Sequence, residues 1–322
     1  MITQRIELTP FPRVLRIEPA SQCNLACSHC PTGTVDMDRG IMGRDIFEKV
    51  LSEISANKDF IKVIVLYHGG EPFLNNNFYS MVARIKDIDN SIFIKTVSNG
   101  MTVSKKNAEN ILNSGIDHIE FSLDADSPEE NQYFRVNSDT QKIIKNINGL
   151  IALKKLRNAA KPEIYITNTQ FLRDKNSTDH LGEPVVPSWL EHLFGGDVSG
   201  YKTNYALKWP HMGNSGKFDF FKPVSGEDSN ECDHVINTLT IRSDGLVVPC
   251  CFDLTSKLVM GNILEESLTD IWNGQKYLML RESIKSLNYI SICKTCAVVR
   301  PPVYLIPKRN ANMVLKIEKN ST

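Results

Sequence analysis

The sequence has no apolar run long enough to cross a membrane. Its most hydrophobic stretch, Ile61 to Tyr67, is far short of the ~20 residues a span needs and reads as a buried strand. It also has no net charge, since Lys+Arg and Asp+Glu both total 37. No global field therefore draws the chain to nucleic acid or to an acidic membrane. Met1 to Leu15 lacks the apolar core and small-residue cleavage site of a signal peptide. A cytoplasmic location is the expectation. Scattered, evenly spaced cysteines are missing too. All eight fall in two groups, Cys23, Cys27 and Cys30 near one end, and Cys232, Cys250, Cys251, Cys293 and Cys296 near the other. In a reducing compartment such grouping favours metal or redox chemistry over disulfides.

What is present, across 322 residues, is an alternation of strand and helix. Val14–Glu18, Lys62–Tyr67, Ile92–Val97, Asp117–Ser122 and Ile164–Thr169 read as strands. Met42–Ala56, Asn77–Ile88, Ser104–Ser114 and Gln141–Leu156 read as helices between them. Such order predicts parallel strands joined by crossover helices, with the site at the strands' C-terminal ends. From Arg173 to Glu231 the periodicity weakens. Asp179-His180, Gly182-Glu183-Pro184, Gly195-Gly196 and Gly213-Asn214-Ser215-Gly216 are loop-like, with Trp189, His192, Trp209 and His211 among them as packing rings. This segment is expected to connect domains and to cover the barrel mouth.

Unusual residues follow the strands. After the first comes Cys23-Asn24-Leu25-Ala26-Cys27-Ser28-His29-Cys30. Three thiolates this close can ligate three irons of one [4Fe–4S] cubane and leave the fourth open to a small molecule. The competing readings are three buried structural thiols or part of a zinc site, although a zinc ribbon would show two CxxC pairs. After the second strand comes Gly69-Gly70-Glu71-Pro72, where glycines let backbone approach a ligand or simply make a turn. Ser98-Asn99-Gly100 and Ser122-Leu123-Asp124 end the next two strands. Near the far end, two β-prone runs flank Ser243-Asp244-Gly245, a hairpin that would bring Cys232 and Cys250 together. Four of the five C-terminal cysteines can complete a tetrahedral set, for iron–sulfur or for zinc.

With its Cx3CxxC, GGEP and SLD motifs the chain resembles the radical S-adenosylmethionine (SAM) superfamily. Asp244-Gly245, Pro249-Cys250, Gly261-Asn262-Ile263, Ser267-Leu268, Ile271-Trp272, Arg281 and Cys293-Lys294-Thr295-Cys296 resemble its SPASM/Twitch extension, as found in aminocyclitol dehydrogenases and related epimerases. The resemblance implies a partial (β/α)6 TIM-like barrel at residues 1–200, a connector at 201–230, a Twitch/SPASM β-hairpin-plus-helix domain at 231–300, and a tail at 301–322. It implies a SAM-binding [4Fe–4S] cluster on Cys23, Cys27 and Cys30. An auxiliary [4Fe–4S] cluster would sit on Cys232, Cys293, Cys296 and one of Cys250 and Cys251, with Cys250 favoured because it ends the hairpin. SAM would be held by Gly69, Gly70, Glu71, Pro72, Ser98, Asn99, Ser122 and Arg135, with His29 near the adenine and Asp124 in the pocket.

The implied chemistry is hydrogen abstraction by a 5′-deoxyadenosyl radical, with an electron donor of the flavodoxin or ferredoxin type. Alcohol oxidation and epimerisation both remain open. Cys251, if not a ligand, is either a small buried residue or the thiol that returns a hydrogen atom. Few residues precede Val14, which leaves no room for the leader-binding module of peptide-modifying relatives and favours a sugar, aminocyclitol or other small metabolite. The alternatives are maturation of a peptide or protein side chain, and a non-catalytic iron–sulfur or zinc protein.

Overall fold

The structure, a computed structural model, describes residues 10–173, 182–223 and 226–308. Asp179-His180 and most of the expected tail lie outside these. Among the described residues the order is β1 (Val14–Ile17), α1 (Pro31–Thr34), α2 (Arg44–Asn57), β2 (Val63–Val65), α3 (Phe78–Ile88), β3 (Phe93–Ser98), α4 (Lys105–Asn113) and β4 (His118–Ser122). Then come α5 (Pro128–Phe134), α6 (Thr140–Leu156), β5 (Glu163–Gln170), α7 (Ser188–Phe194) and β6 (Gly200–Tyr205). β1 to β6 pair in parallel in sequence order, the half-open (β/α)6 sheet the motifs implied.

Local sequence explains the helix starts. Ser104, Ser127 and Asp139 each accept a hydrogen bond from the backbone N–H three residues on, capping α4, α5 and α6. Strand alternation then sorts the side chains. Leu15, Ile17, Ile64, Ile94, Ile119, Phe121, Ile164 and Ile166 are buried against Val50, Ile54, Val82, Ile85, Ile111 and Ile147 of the helices. The intervening residues, among them Arg16, Lys95, Glu120, Thr167 and Lys202, take the other face of the sheet.

The sixth strand falls on residues assigned from sequence mainly to a connector. β6 is an edge strand whose Lys202 pairs with Glu120 and whose Asn204 lines a cavity, so it shows no apolar alternation. Farther along, β7 (Phe218–Phe221) pairs antiparallel with β11 (Tyr304–Pro307). The β11 segment is bonded on both sides, Leu172 N–H to the Leu305 carbonyl and Leu305 N–H to the Ala206 carbonyl.

The C-terminal domain has α8 (Asp233–Asn237), β8 (Thr238–Ile241), β9 (Leu246–Val248), β10 (Gly261–Asn262), α9 (Leu268–Asn273) and α10 (Gln275–Lys285). The expected hairpin is β8–β9, turned at Gly245 with φ of +86°, a conformation glycine adopts without strain. β8 does not stand apart: it pairs in parallel with β1, Leu15 opposite Leu239, so nine strands form one sheet. No helix among the described residues is long and apolar enough to cross a membrane.

Candidate active site

A cavity of about 470 Å³ opens at the C-terminal ends of the parallel strands. Cys23, Cys27 and Cys30 all line it, together with His29, Gly69, Gly70, Glu71, Ser98, Asn99, Ser122, Asp124 and Arg135. Residues drawn from four strand-end loops thus converge on one space. Pro72 does not line it; it is buried at the start of a 3-10 turn beneath the loop.

The cysteine loop is strapped down by backbone. Ala26 N–H donates to the Val136 carbonyl, and Ser28 donates twice to the Phe134 carbonyl. Phe134 itself is held in a ring cluster with Phe171 at 4.3 Å and Phe218 at 5.3 Å. A Cβ on Gly33 would come within 2.5 Å of the Cys27 carbonyl, and one on Gly70 within 2.3 Å of the Ala20 and Gln22 carbonyls. Only glycine allows these loops to close on each other.

Three carboxylates stand in this space, two of them ion-paired and one not. Asp124 is ion-paired to Arg135 at 2.6 Å and to His29 at 3.2 Å. Burial alone would raise its pKa, but Arg135 and His29 hold it below the usual carboxylate range. Burial likewise works against the Arg135 charge, which Cys27 and Asp124 more than offset, so its pKa is raised. Among the described residues Glu71 has no ion-pair partner. Its Oε1 accepts from the Ser98 hydroxyl at 2.9 Å and its Oε2 from the Asn99 N–H at 2.8 Å. Burial nevertheless pushes it up to about 7. Glu120, which the motifs did not single out, also lines the cavity and is paired with Lys95, Lys202 and His118. Tyr67, His68, Thr167, Thr169, Asn204, Trp209 and Phe252 also line it.

The C-terminal cysteines form a second set outside this cavity. Cys250, Cys293 and Cys296 are buried in the core and Cys232 packs against it. The charges of Cys232, Cys250, Cys251 and Cys296 act on one another, and those of Cys296 and Cys232 act on Cys293. Cys251 does not line the cavity; its Sγ lies 3.8 Å from His234 Nε2. Burial opposes ionisation of Cys251, yet His234 and Arg16 hold its pKa below the ordinary thiol value.

An open α/β barrel with three thiols at the mouth of a nucleotide-sized cavity defines a cofactor-dependent enzyme. Comparison with known proteins agrees. The radical SAM superfamily profile matches residues 17–165, and that of an iron-sulfur cluster-binding domain, SPASM, matches residues 232–297. The chain belongs to the radical SAM superfamily and carries a C-terminal SPASM domain. It is 25% identical over 320 residues to the tungsten-containing aldehyde ferredoxin oxidoreductase cofactor-modifying protein of Pyrococcus furiosus, covering 89% of this chain and 87% of that one. It is 28% identical over 153 residues to the S-adenosyl-L-methionine-dependent 2-deoxy-scyllo-inosamine dehydrogenase of Niallia circulans, covering 42% and 60%. The crystal structure of BtrN in complex with AdoMet and 2-DOIA matches with a TM-score of 0.55 and 20% identity, over 89% of this chain and 93% of that one, a likeness of fold.

The family implies a [4Fe–4S] cluster with SAM, and auxiliary iron–sulfur binding in the SPASM domain. The residues present fit. Among the described residues no three His, Cys, Asp or Glu side chains gather around a single ion. A cubane is a larger body that spaces its ligands further apart, and three thiols around one cavity suit it. Burial pushes Cys23 up to about 11 and Cys27 up to about 12, so cationic iron would be what makes them thiolates. Arg135 Nε and His29 Nδ1, on two residues that line the same cavity, are buried with no partner.

Proposed function

We propose that this protein is a radical SAM oxidoreductase that removes hydrogen from a hydroxyl-bearing carbon of a sugar, aminocyclitol or similar small metabolite, giving the ketone. The observation that carries this reading is the part of the cavity lining contributed by residues outside the cysteine and glycine motifs. It includes neutral hydroxyl and amide groups, Thr167, Thr169 and Asn204, together with two aromatic rings, Trp209 and Phe252, whose centroids lie 4.8 Å apart at a tilt of 37°. Rings that meet C–H faces and small polar groups that meet hydroxyls suit a polyol. The relative from Niallia circulans, named for an inosamine dehydrogenase, points the same way.

When bound, the two clusters and SAM supply a radical to take the hydrogen atom and an acceptor for the electron that follows. Cys23, Cys27 and Cys30 would hold the first cluster; Cys232, Cys250, Cys293 and Cys296 the second. Gly69, Gly70, Ser98, Asn99, Ser122 and Arg135 would orient SAM, and His29 would face its adenine. Asp124 fixes Arg135 and His29 in place rather than reaching SAM itself. Net oxidation removes two electrons and two protons from the alcohol, one proton leaving with the abstracted hydrogen. A flavodoxin- or ferredoxin-type protein would supply the starting electron. Oxidation is favoured over epimerisation because Cys251, the one candidate thiol donor, is turned to His234 and is absent from the cavity wall. The test is anaerobic incubation with reductant, SAM and C-deuterated 2-deoxy-scyllo-inosamine or inositol. Deuterium in 5′-deoxyadenosine and a carbonyl product support the reading. No polyol-dependent 5′-deoxyadenosine refutes it.

The second reading is modification of a protein or its cofactor. It is favoured by the match along 89% of this chain to a cofactor-modifying protein. A substrate-free mass shift on a co-expressed protein would decide for it.

A further inference from the structure

Glu120 lies two residues before Ser122 on β4, one step deeper in the barrel. Its neighbours across the sheet are Val97 and Tyr165. The side chain is buried, yet it lines the cavity. Its hydrogen bonding is lopsided. Oε1 accepts from Lys95 Nζ at 2.8 Å, meets His118 Nε2 at 3.0 Å, and also accepts from Lys202 Nζ. No described residue donates to Oε2. That oxygen is not among the buried polar atoms left without a partner, so it is open to the surroundings. Lys95, His118 and Lys202 do not line the cavity, whereas Glu120 does. Of these four side chains only Glu120 reaches the cavity, and Oε2 is the oxygen its partners leave open to it.

We propose that Glu120 is a specificity-determining residue whose free Oε2 accepts a hydrogen bond from one hydroxyl of the substrate at the cavity floor. This rests on the functional reading above. A hydroxyl suits the place better than an ammonium, because two lysines already offset the carboxylate and leave a third cation no net attraction. An acceptor role suits it better than a base. Burial would raise its pKa, but His118, Lys95 and Lys202 keep it well below the carboxylate range, so it holds a proton poorly. A carboxylate fixed on one oxygen is also pre-organised, and little freedom is lost when the other binds. Tyr67, whose phenol feels the Glu120 charge, bounds the same floor.

The experiment is calorimetric titration of cluster-loaded protein, with SAM and without reductant. The probes are 2-deoxy-scyllo-inosamine, myo-inositol and glucose, each with its monodeoxy counterparts. In the unmodified protein, deleting one particular hydroxyl weakens binding roughly 10- to 100-fold, the effect of a hydrogen bond to a charged group. In Glu120→Gln, which has one carboxylate-like oxygen left for the lysines, that penalty falls to about 2-fold or less. Glu120→Asp keeps the lysine pairing but withdraws the oxygen, and is expected to behave alike. Iron content and melting temperature confirm that both variants fold. The same penalty in the protein and in both folded variants overturns the proposal, as does a protein indifferent to every deletion. If polyols are bound and oxidised in those cases, the functional reading survives them. If no polyol binds at all, both fail together.

Discussion

Glu71 offers a prediction whose sign changes with pH. It is 2% exposed, and three donors, the Ser98 hydroxyl and the N–H groups of Phe73 and Asn99, favour its charged form. Burial outweighs them and lifts it from 4.5 to about 7. A carboxyl with a raised folded pKa stabilises the fold below its unfolded pKa and loses that stabilisation as pH rises through the folded value. The rise of about 2.5 units, at 1.36 kcal/mol each, corresponds to about 3 kcal/mol, most of it lost between about pH 5 and pH 8. Glu71→Gln cannot ionise. At pH 5 it should be less stable by about 1 kcal/mol, because its NH2 group replaces the acceptor for Asn99 N–H. At pH 8 it should be the more stable of the two by about 2 kcal/mol. Thermal unfolding of both proteins, before cluster loading and without SAM, reads the crossing. At roughly 2–4 °C per kcal/mol, the difference in Tm should swing by roughly 6–12 °C across that range. A difference that stays flat with pH, or that swings the other way, refutes the argument.

Asp124→Ala leaves Arg135 buried without its carboxylate and should cost about 3–5 kcal/mol in denaturant unfolding; a loss below about 1 kcal/mol would mean the ion pair is not sealed from water. Gly70→Ala places a methyl 2.3 Å from the Ala20 and Gln22 carbonyl oxygens, just before Cys23, so both iron content and SAM binding by equilibrium dialysis should fall; undiminished iron and affinity would show that the two loops need not close this tightly. Cys250→Ala should lower iron from about eight to about four per chain, whereas Cys251→Ala should leave it near eight; the reverse result would make Cys251 the ligand.

Much of the barrel was legible because apolar residues on its helices and strands face one core. Val50, Ile54, Val82 and Ile85 recur at helical spacing, and the strands between them are β-branched. The cysteine, GGEP, SNG and SLD motifs were legible because close backbone approach restricts the residues allowed. The polar lining was not. His118-Ile119-Glu120-Phe121-Ser122 alternates like a strand with one face in water, and nothing local reveals that its polar face points into a cavity. Glu120 was missed for that reason, and so were Tyr67 and His68. β7 and β11 escaped notice because they pair with each other across more than eighty residues of chain. Whether Cys251 meets the substrate depended on its side-chain direction, which spacing does not encode.

The parallel pairing of β1 with β8 imposes an order on biosynthesis. As the chain leaves the ribosome, the first strand and the cysteine loop behind it emerge early. One edge of β1 has no partner until Thr238–Ile241 follow. Glu18 and Ser21, which flank that loop, likewise wait for Ser243. A nascent chain stopped at the end of the barrel would carry a bare apolar strand edge, a template for aggregation. Iron loading at the first three cysteines is therefore expected to follow emergence of Thr238–Ile241 and Ser243.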